Sequence, residues 1–241
     1  MALTEMDIVS GISSLISIII FTILGLIIIS KYFKYRRTEL LLFGITVIGL
    51  AEPFYGPSFS FLNALITGQG LPVEIYMSLS LIGHPFILLC FVAVITDLLY
   101  KEKRKIILLI FFIYAIIVEI LMIYFLINDP SMVGVIIGIT DAEYGIISRL
   151  YIISAGLVFV IGGTLFSLES IKSKKPELVL KGKILLPTFY LYAICGILDS
   201  ALPLNAITIS LIRIFLIISG VLFYIGFVLP ESVKKFFLKE K

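Results

Sequence analysis

Histidine is almost missing from this sequence and tryptophan is missing altogether: 241 residues contain one His, His84, and no Trp. Cysteine is nearly as scarce. Cys90 and Cys195 both sit inside apolar runs, so no disulfide framework is available, and both read as small buried apolar residues. Charge is the third shortage, at 15% of the chain against about 25% in an ordinary soluble domain. There is no Asn-x-Ser/Thr acceptor site and no lipidation motif. What replaces the missing polarity is hydrocarbon: 60% of the residues are apolar and the mean hydropathy is +1.17. A chain of that composition has no water-facing shell, so lipid must be its solvent. A spanning helix takes about 20 residues plus a connection. The chain therefore holds about seven such units, with no water-facing domain expected beside them.

The apolar runs fall at about 8–30, 40–57, 73–99, 106–127, 144–168, 184–202 and 206–229. They predict an all-α, polytopic membrane protein, with residues 1–241 forming one transmembrane domain of seven helices. The second run is interrupted near its end by Pro53 and Pro57. Residues 1–10 carry Glu5 and Asp7 but no basic residue, so the first run reads as a retained span rather than a signal peptide.

Basic residues set the direction. Lys31, Lys34, Arg36 and Arg37 follow span 1, and Lys101, Lys103, Arg104 and Lys105 follow span 3. Lys172, Lys174, Lys175, Lys181 and Lys183 join spans 5 and 6, and Lys234, Lys235, Lys239 and Lys241 close the sequence. All lie on one side and account for 17 of the 19 basic residues. The other side has no Lys or Arg in its connections and carries Glu5, Asp7, Asp129 and Asp141. Positive residues stay cytoplasmic, which predicts a cytoplasmic-membrane protein with its N-terminus outside and its C-terminus inside. Basic residues confined to short loops describe topology and not a nucleic-acid surface. The segment at 231–241 mixes Lys with Phe236, Phe237 and Leu238, as a short helix at the headgroups would. Two outer segments are apolar, 59–66 as a small helix and 132–139; they either cover polar helix ends or form a gating lid.

Six ionisable residues lie deep within the spans: Glu52, His84, Glu119, Arg149, Asp199 and Arg213. At 1.5 Å per residue the acids and arginines fall about 7–10 Å below the outer boundary, with His84 roughly 15 Å down. Such groups face the bundle interior and are paired. Small and polar residues share their stripes: Gly145, Gly156, Gly163 and Ser167 with Arg149; Ala206, Ser210, Gly220 and Tyr224 with Arg213; Thr188, Tyr192 and Cys195 in span 6; Ser10, Ser13, Ser14 and Ser17 in span 1. One reading makes these groups register-fixing ion pairs, Glu119 with Arg149 and Asp199 with Arg213. The other makes all six the lining of an outward-opening ligand cavity. Three acids against two arginines leave one carboxylate over, and Glu52, next to Pro53, is expected to be that one.

Several chemistries are excluded. One histidine cannot supply the ligand set of a seven-span zinc hydrolase of the ceramidase type. An intramembrane aspartyl protease needs two facing aspartates, and Gly196-Ile197-Leu198-Asp199-Ser200 does not match its Gly-x-Gly-Asp pattern. Retinal needs a lysine in the last span, where this sequence has Arg213. No metal, cofactor or catalytic residue is assigned, and the chain reads as non-enzymatic. A three-one-three repeat is topologically allowed: Gly49 and Glu52 before Pro57 face Gly196 and Asp199 before Pro203. Finally, Lys181-Gly182-Lys183, Arg213 and Tyr224-Ile225-Gly226-Phe227-Val228-Leu229-Pro230 together resemble uncharacterised seven-span membrane proteins of archaea, which implies the architecture and no activity. The expectation is a receptor-like protein that binds a small ligand or ion and relays to a cytoplasmic or membrane partner. A carrier of a small polar solute and a structural subunit are the alternatives.

Overall fold

A computed structural model describes residues 3–201 and 205–238; Leu202, Pro203, Lys239 and Lys241, used above, lie outside the described residues. Among the described residues, seven helical segments are long and apolar enough to cross a membrane. The first, α1 (Glu5–Tyr35), starts with a capping box in which Thr4 and Asp7 satisfy each other's backbone N–H groups. The second runs from Thr38 to Thr67 and is interrupted. Its first part, α2 (Thr38–Gly49), gives way to a 3-10 turn at Glu52–Phe54, and α3 (Tyr55–Thr67) continues from there. Pro53 lies in that turn, where its missing N–H does least harm. Residues 59–66 are therefore part of span 2 and not a separate outer helix.

Span 3 is also broken. It consists of α4 (Val73–Leu81) and α5 (His84–Leu99), with Pro85 in the first turn of α5. A long unbroken α6 (Arg104–Asn128) leads to the outer connection, where 132–139 becomes half of a β-hairpin: β1 (Gly134–Ile136) pairs antiparallel with β2 (Ala142–Tyr144). The last three segments are α7 (Ile146–Ile171), α8 (Pro176–Ala201) and α9 (Ala206–Val228), the last capped by Asn205. Leu229 turns the chain through the left-handed region (φ 53°) into α10 (Glu231–Leu238). This short helix exposes Phe236 and Phe237 and pairs Lys234 with Glu177 at 2.6 Å.

Packing between these elements closes a ring of six segments. Span 1 contacts span 2, span 2 contacts span 3, span 3 contacts span 5, spans 5, 6 and 7 follow in order, and span 7 returns to span 1. Span 4, which is α6, packs mainly against α5 from outside the ring. Serines 10, 14 and 17 of α1 are buried, as their shared stripe predicts. Helices α1 and α2 come close together at Gly25 and Gly44. A Cβ on Gly25 would meet the Gly44 carbonyl oxygen at 2.6 Å, and one on Gly44 would meet the Gly25 carbonyl at 2.8 Å. Small residues are what allow backbones this near in lipid.

Aromatic rings fill the ring of helices. Phe21, Phe43, Phe91, Phe159, Phe189, Tyr192, Phe223 and Phe227 form a continuous network, with Phe43 stacked on Phe227 at 3.6 Å between centroids. Every segment of the ring contributes at least one. Phe21, Phe91, Phe189 and Phe223 are fully buried. Gly44→Leu is expected to destabilise the protein in detergent by about 1–3 kcal/mol through overpacking. Gly156→Ala, where an added Cβ meets nothing within 4 Å, should leave the thermal midpoint unchanged or slightly raised.

Candidate functional site

The breaks in spans 2 and 3 meet. Glu52, in the 3-10 turn, accepts a hydrogen bond through Oε1 from the Gly83 N–H at 2.5 Å, so its carboxylate caps the start of α5. Its other oxygen lies 3.6 Å from His84 Nδ1. Interrupting a helix in hydrocarbon frees backbone groups that need an internal partner, and here the neighbouring interrupted span supplies one. The fit is close: a Cβ on Gly83 would come within 2.9 Å of Glu52 Oε1. The depth count from the sequence placed His84 below Glu52. The break at 82–83 and the 30-residue length of span 2 instead bring the two side chains together.

Glu119 joins this group. It is 7% exposed, neither of its carboxylate oxygens has a hydrogen-bond partner, and it is near enough to Glu52 for their charges to interact. Tyr151, on α7, completes the cluster. Its ring is 5.9 Å from that of His84, its hydroxyl is buried without a partner, and it senses both carboxylates. Among the described residues neither Glu119 nor Glu52 has an arginine partner: Glu52, the expected spare acid, has a backbone donor and His84 beside it, whereas Glu119 has no hydrogen-bond partner.

A second cluster lies nearer the acidic end. Arg213 Nη2 pairs with Asp199 Oδ2 at 3.2 Å, as expected for that hairpin. The guanidinium carbon sits 4.1 Å from the centroid of Phe54, a cation–π contact. Arg213 is 5% exposed, yet its Nε and Nη1 have no partner, and neither does Asp199 Oδ1. Tyr144 of β2 interacts with both charges. Burial pushes its hydroxyl above the usual phenol range, Asp199 adds to the push and Arg213 opposes it. Phe54 is two residues from Glu52, and Tyr192, whose hydroxyl donates to the Leu50 carbonyl at 2.9 Å, senses both clusters. The two groups are therefore neighbouring parts of one polar layer.

Arg149 is not in that layer. It pairs with Glu143 at 2.7 Å, with both side chains more than half exposed. The expected Glu119–Arg149 pair does not form, because β2 brings a closer carboxylate six residues away. Two surface depressions are also elsewhere, one along 98–103 and an open apolar one at Pro187, Tyr190 and Leu222. Among the described residues, no group of three or more His, Cys, Asp or Glu is arranged to hold a metal ion.

The sequence reading had an apolar cover at 132–139 but missed what holds it in place. The β-hairpin is tied down by Asp7, whose Oδ1 accepts from the backbone N–H groups of Ile139 (3.1 Å) and Thr140 (3.2 Å). Ser10 and Tyr76 donate to the Thr140 carbonyl, and Ser60 donates to the Ile139 carbonyl. The Thr4-x-x-Asp7 capping pattern was the available signal for a structured N-terminus, but nothing local shows that the same carboxylate also holds a loop more than 130 residues away.

Removing Arg213 alone (Arg213→Ala) is expected to cost about 3–5 kcal/mol, since Asp199 would be left as an unpaired buried charge. Asp199→Leu combined with Arg213→Met should recover most of that loss. Arg149→Ala should cost about 0–1 kcal/mol, as for other exposed pairs. Chemical or thermal unfolding in micelles checks all three. No protein-family model and no curated protein sequence matches the chain.

Proposed function

We propose that this multi-pass membrane protein is receptor-like: a small ligand or ion enters its polar layer from the acidic end and shifts the helix packing that a partner reads at the basic loops. The observation that carries this reading is the set of buried polar atoms without a hydrogen-bond partner, namely Glu52 Oε2, His84 Nδ1, both Glu119 oxygens, Asp199 Oδ1, and Arg213 Nε and Nη1. Buried polar groups are nearly always satisfied, and ionisable groups inside a membrane bundle mark sites by default. Beneath this layer the aromatic network closes the basic half of the ring, which favours binding from one side over passage. The direction rests on the positive-inside distribution, N-terminus outside and C-terminus in the cytoplasm, in the cytoplasmic membrane. The reading is of non-catalytic binding, and kinship with archaeal seven-span membrane proteins belongs to the same proposal.

A carrier is the second reading. One observation favours it: spans 2 and 3 are both interrupted at the level of the polar layer, and discontinuous helices are where carriers build their sites. Reconstitution into sealed vesicles under an imposed sodium or proton gradient separates the two. The receptor-like reading expects flux indistinguishable from empty vesicles. Flux that Glu119→Gln abolishes would establish the carrier instead.

A further inference from the structure

Resting on that reading of the polar layer, we propose that its inner cluster is a proton-binding site, with Glu119 as the group that carries the proton and the Glu52–His84 pair as its electrostatic counterpart. Glu119 sits on α6, the span outside the ring, on a buried stripe with Ala115, Val118, Met122 and Leu126. Both of its oxygens are buried without a donor. A bare carboxylate in such surroundings costs many times more than a neutral carboxyl, and the nearby Glu52 carboxylate raises that cost further. Either a cation or a proton must therefore occupy the site. The proposal takes the occupant to be a proton, which needs no ligand set; among the described residues no group of three or more His, Cys, Asp or Glu is arranged to hold a metal ion.

The groups facing Glu119 can be stated element by element. Glu52 on the turn of span 2 and Tyr151 on α7 are near enough to interact with its charge, and His84 at the start of α5 stands beside both of them. On α6 itself Tyr114 is engaged with Ser154 at 2.5 Å. Residues 130–132, which pack on the outer end of α6, carry no ionisable side chain. The turn at 101–103 and the Asp97–Arg104 pair (3.4 Å) lie at its opposite end, Cys90 is nearly two turns further along α5, and Arg149 is turned outward to Glu143. No lysine or arginine is therefore available to neutralise Glu119. On deprotonation the proton leaves the Glu119 carboxyl, and the resulting charge faces a Glu52 whose own charge is shared between the Gly83 N–H and His84. Like charges on α6 and on the turn of span 2, which His84 and Gly83 hold against the start of α5, would then push α6 away, so that losing a proton moves the one span outside the ring.

Infrared difference spectroscopy of the whole protein in lipid vesicles, stepping the pH from acid to alkaline, tests this. A protonated-carboxyl band should disappear on raising the pH and be missing in Glu119→Gln, with titratable protons reduced by one per chain. Glu119→Gln and Glu119→Leu should both fold, because the group they replace is neutral, and should lose the pH dependence of the thermal midpoint. An unchanged band and proton count in Glu119→Gln would overturn the proposal. Hydrogen exchange across α5 and α6, measured in the same pH step, distinguishes the two levels. A Glu119 proton without any change in exchange supports the site and refutes the receptor-like reading. Altered exchange that persists in Glu119→Gln overturns the site and leaves that reading standing.

Discussion

The Glu52 carboxylate at the start of α5 is the contact on which the interior depends. Two spans are interrupted side by side, and in hydrocarbon neither break is tolerable unless the exposed backbone finds a partner within the protein. The carboxylate supplies an acceptor for the Gly83 N–H, and the break it stabilises in turn brings His84 alongside. The same 3-10 turn presents Phe54 to Arg213. One four-residue stretch around Pro53 thus organises both ionic clusters, which explains how charged groups from five spans come to share a layer without a lysine or arginine for every acid.

That layer is enclosed on two sides by different chemistry. Toward the acidic end the roof is backbone, a β-hairpin held by the Asp7 carboxylate and by three hydroxyls. Toward the basic end the floor is aromatic, with interlocked rings from every segment of the ring of helices. Hydrogen bonds to a carboxylate contribute roughly 1.5–3 kcal/mol each but can be exchanged for water, whereas the rings have no such alternative. The roof is therefore the side that can open. A ligand can shift helix packing only by as much as it prefers one packing over another, and the unpartnered atoms of Glu119, Asp199 and Arg213 are where such a preference would be expressed.

Much of this was legible in the sequence. Composition and run length gave the seven spans, because the bilayer sets element length so rigidly. The Asp199–Arg213 pair could be read because the two residues flank a short connection at matched depth. Arg149 could not be, since a three-residue strand brings Glu143 within reach, and pairing of so short a strand leaves little trace in hydropathy. Glu52 does lack an arginine, as the charge count had it, but its backbone donor depends on span 3 breaking at 82–83, and Glu119 joins it as a second such acid because Arg149 goes to Glu143. The role of Asp7 was hidden for another reason: its partners, Ile139 and Thr140, offer only backbone N–H groups, which every residue but proline possesses.

In the proposed function the polar layer is reached through the hairpin and stopped by the aromatic floor. The most direct test of this is the rate at which a small membrane-impermeant thiol reagent, added from the acidic side, modifies Glu119→Cys and Phe189→Cys in a background with Cys90 and Cys195 replaced by alanine. The account predicts slow labelling at 119, several-fold faster labelling when Asp7→Ala releases the hairpin, and protection at 189 in both backgrounds. Equal labelling at the two positions, or a rate at 119 indifferent to Asp7, would contradict it.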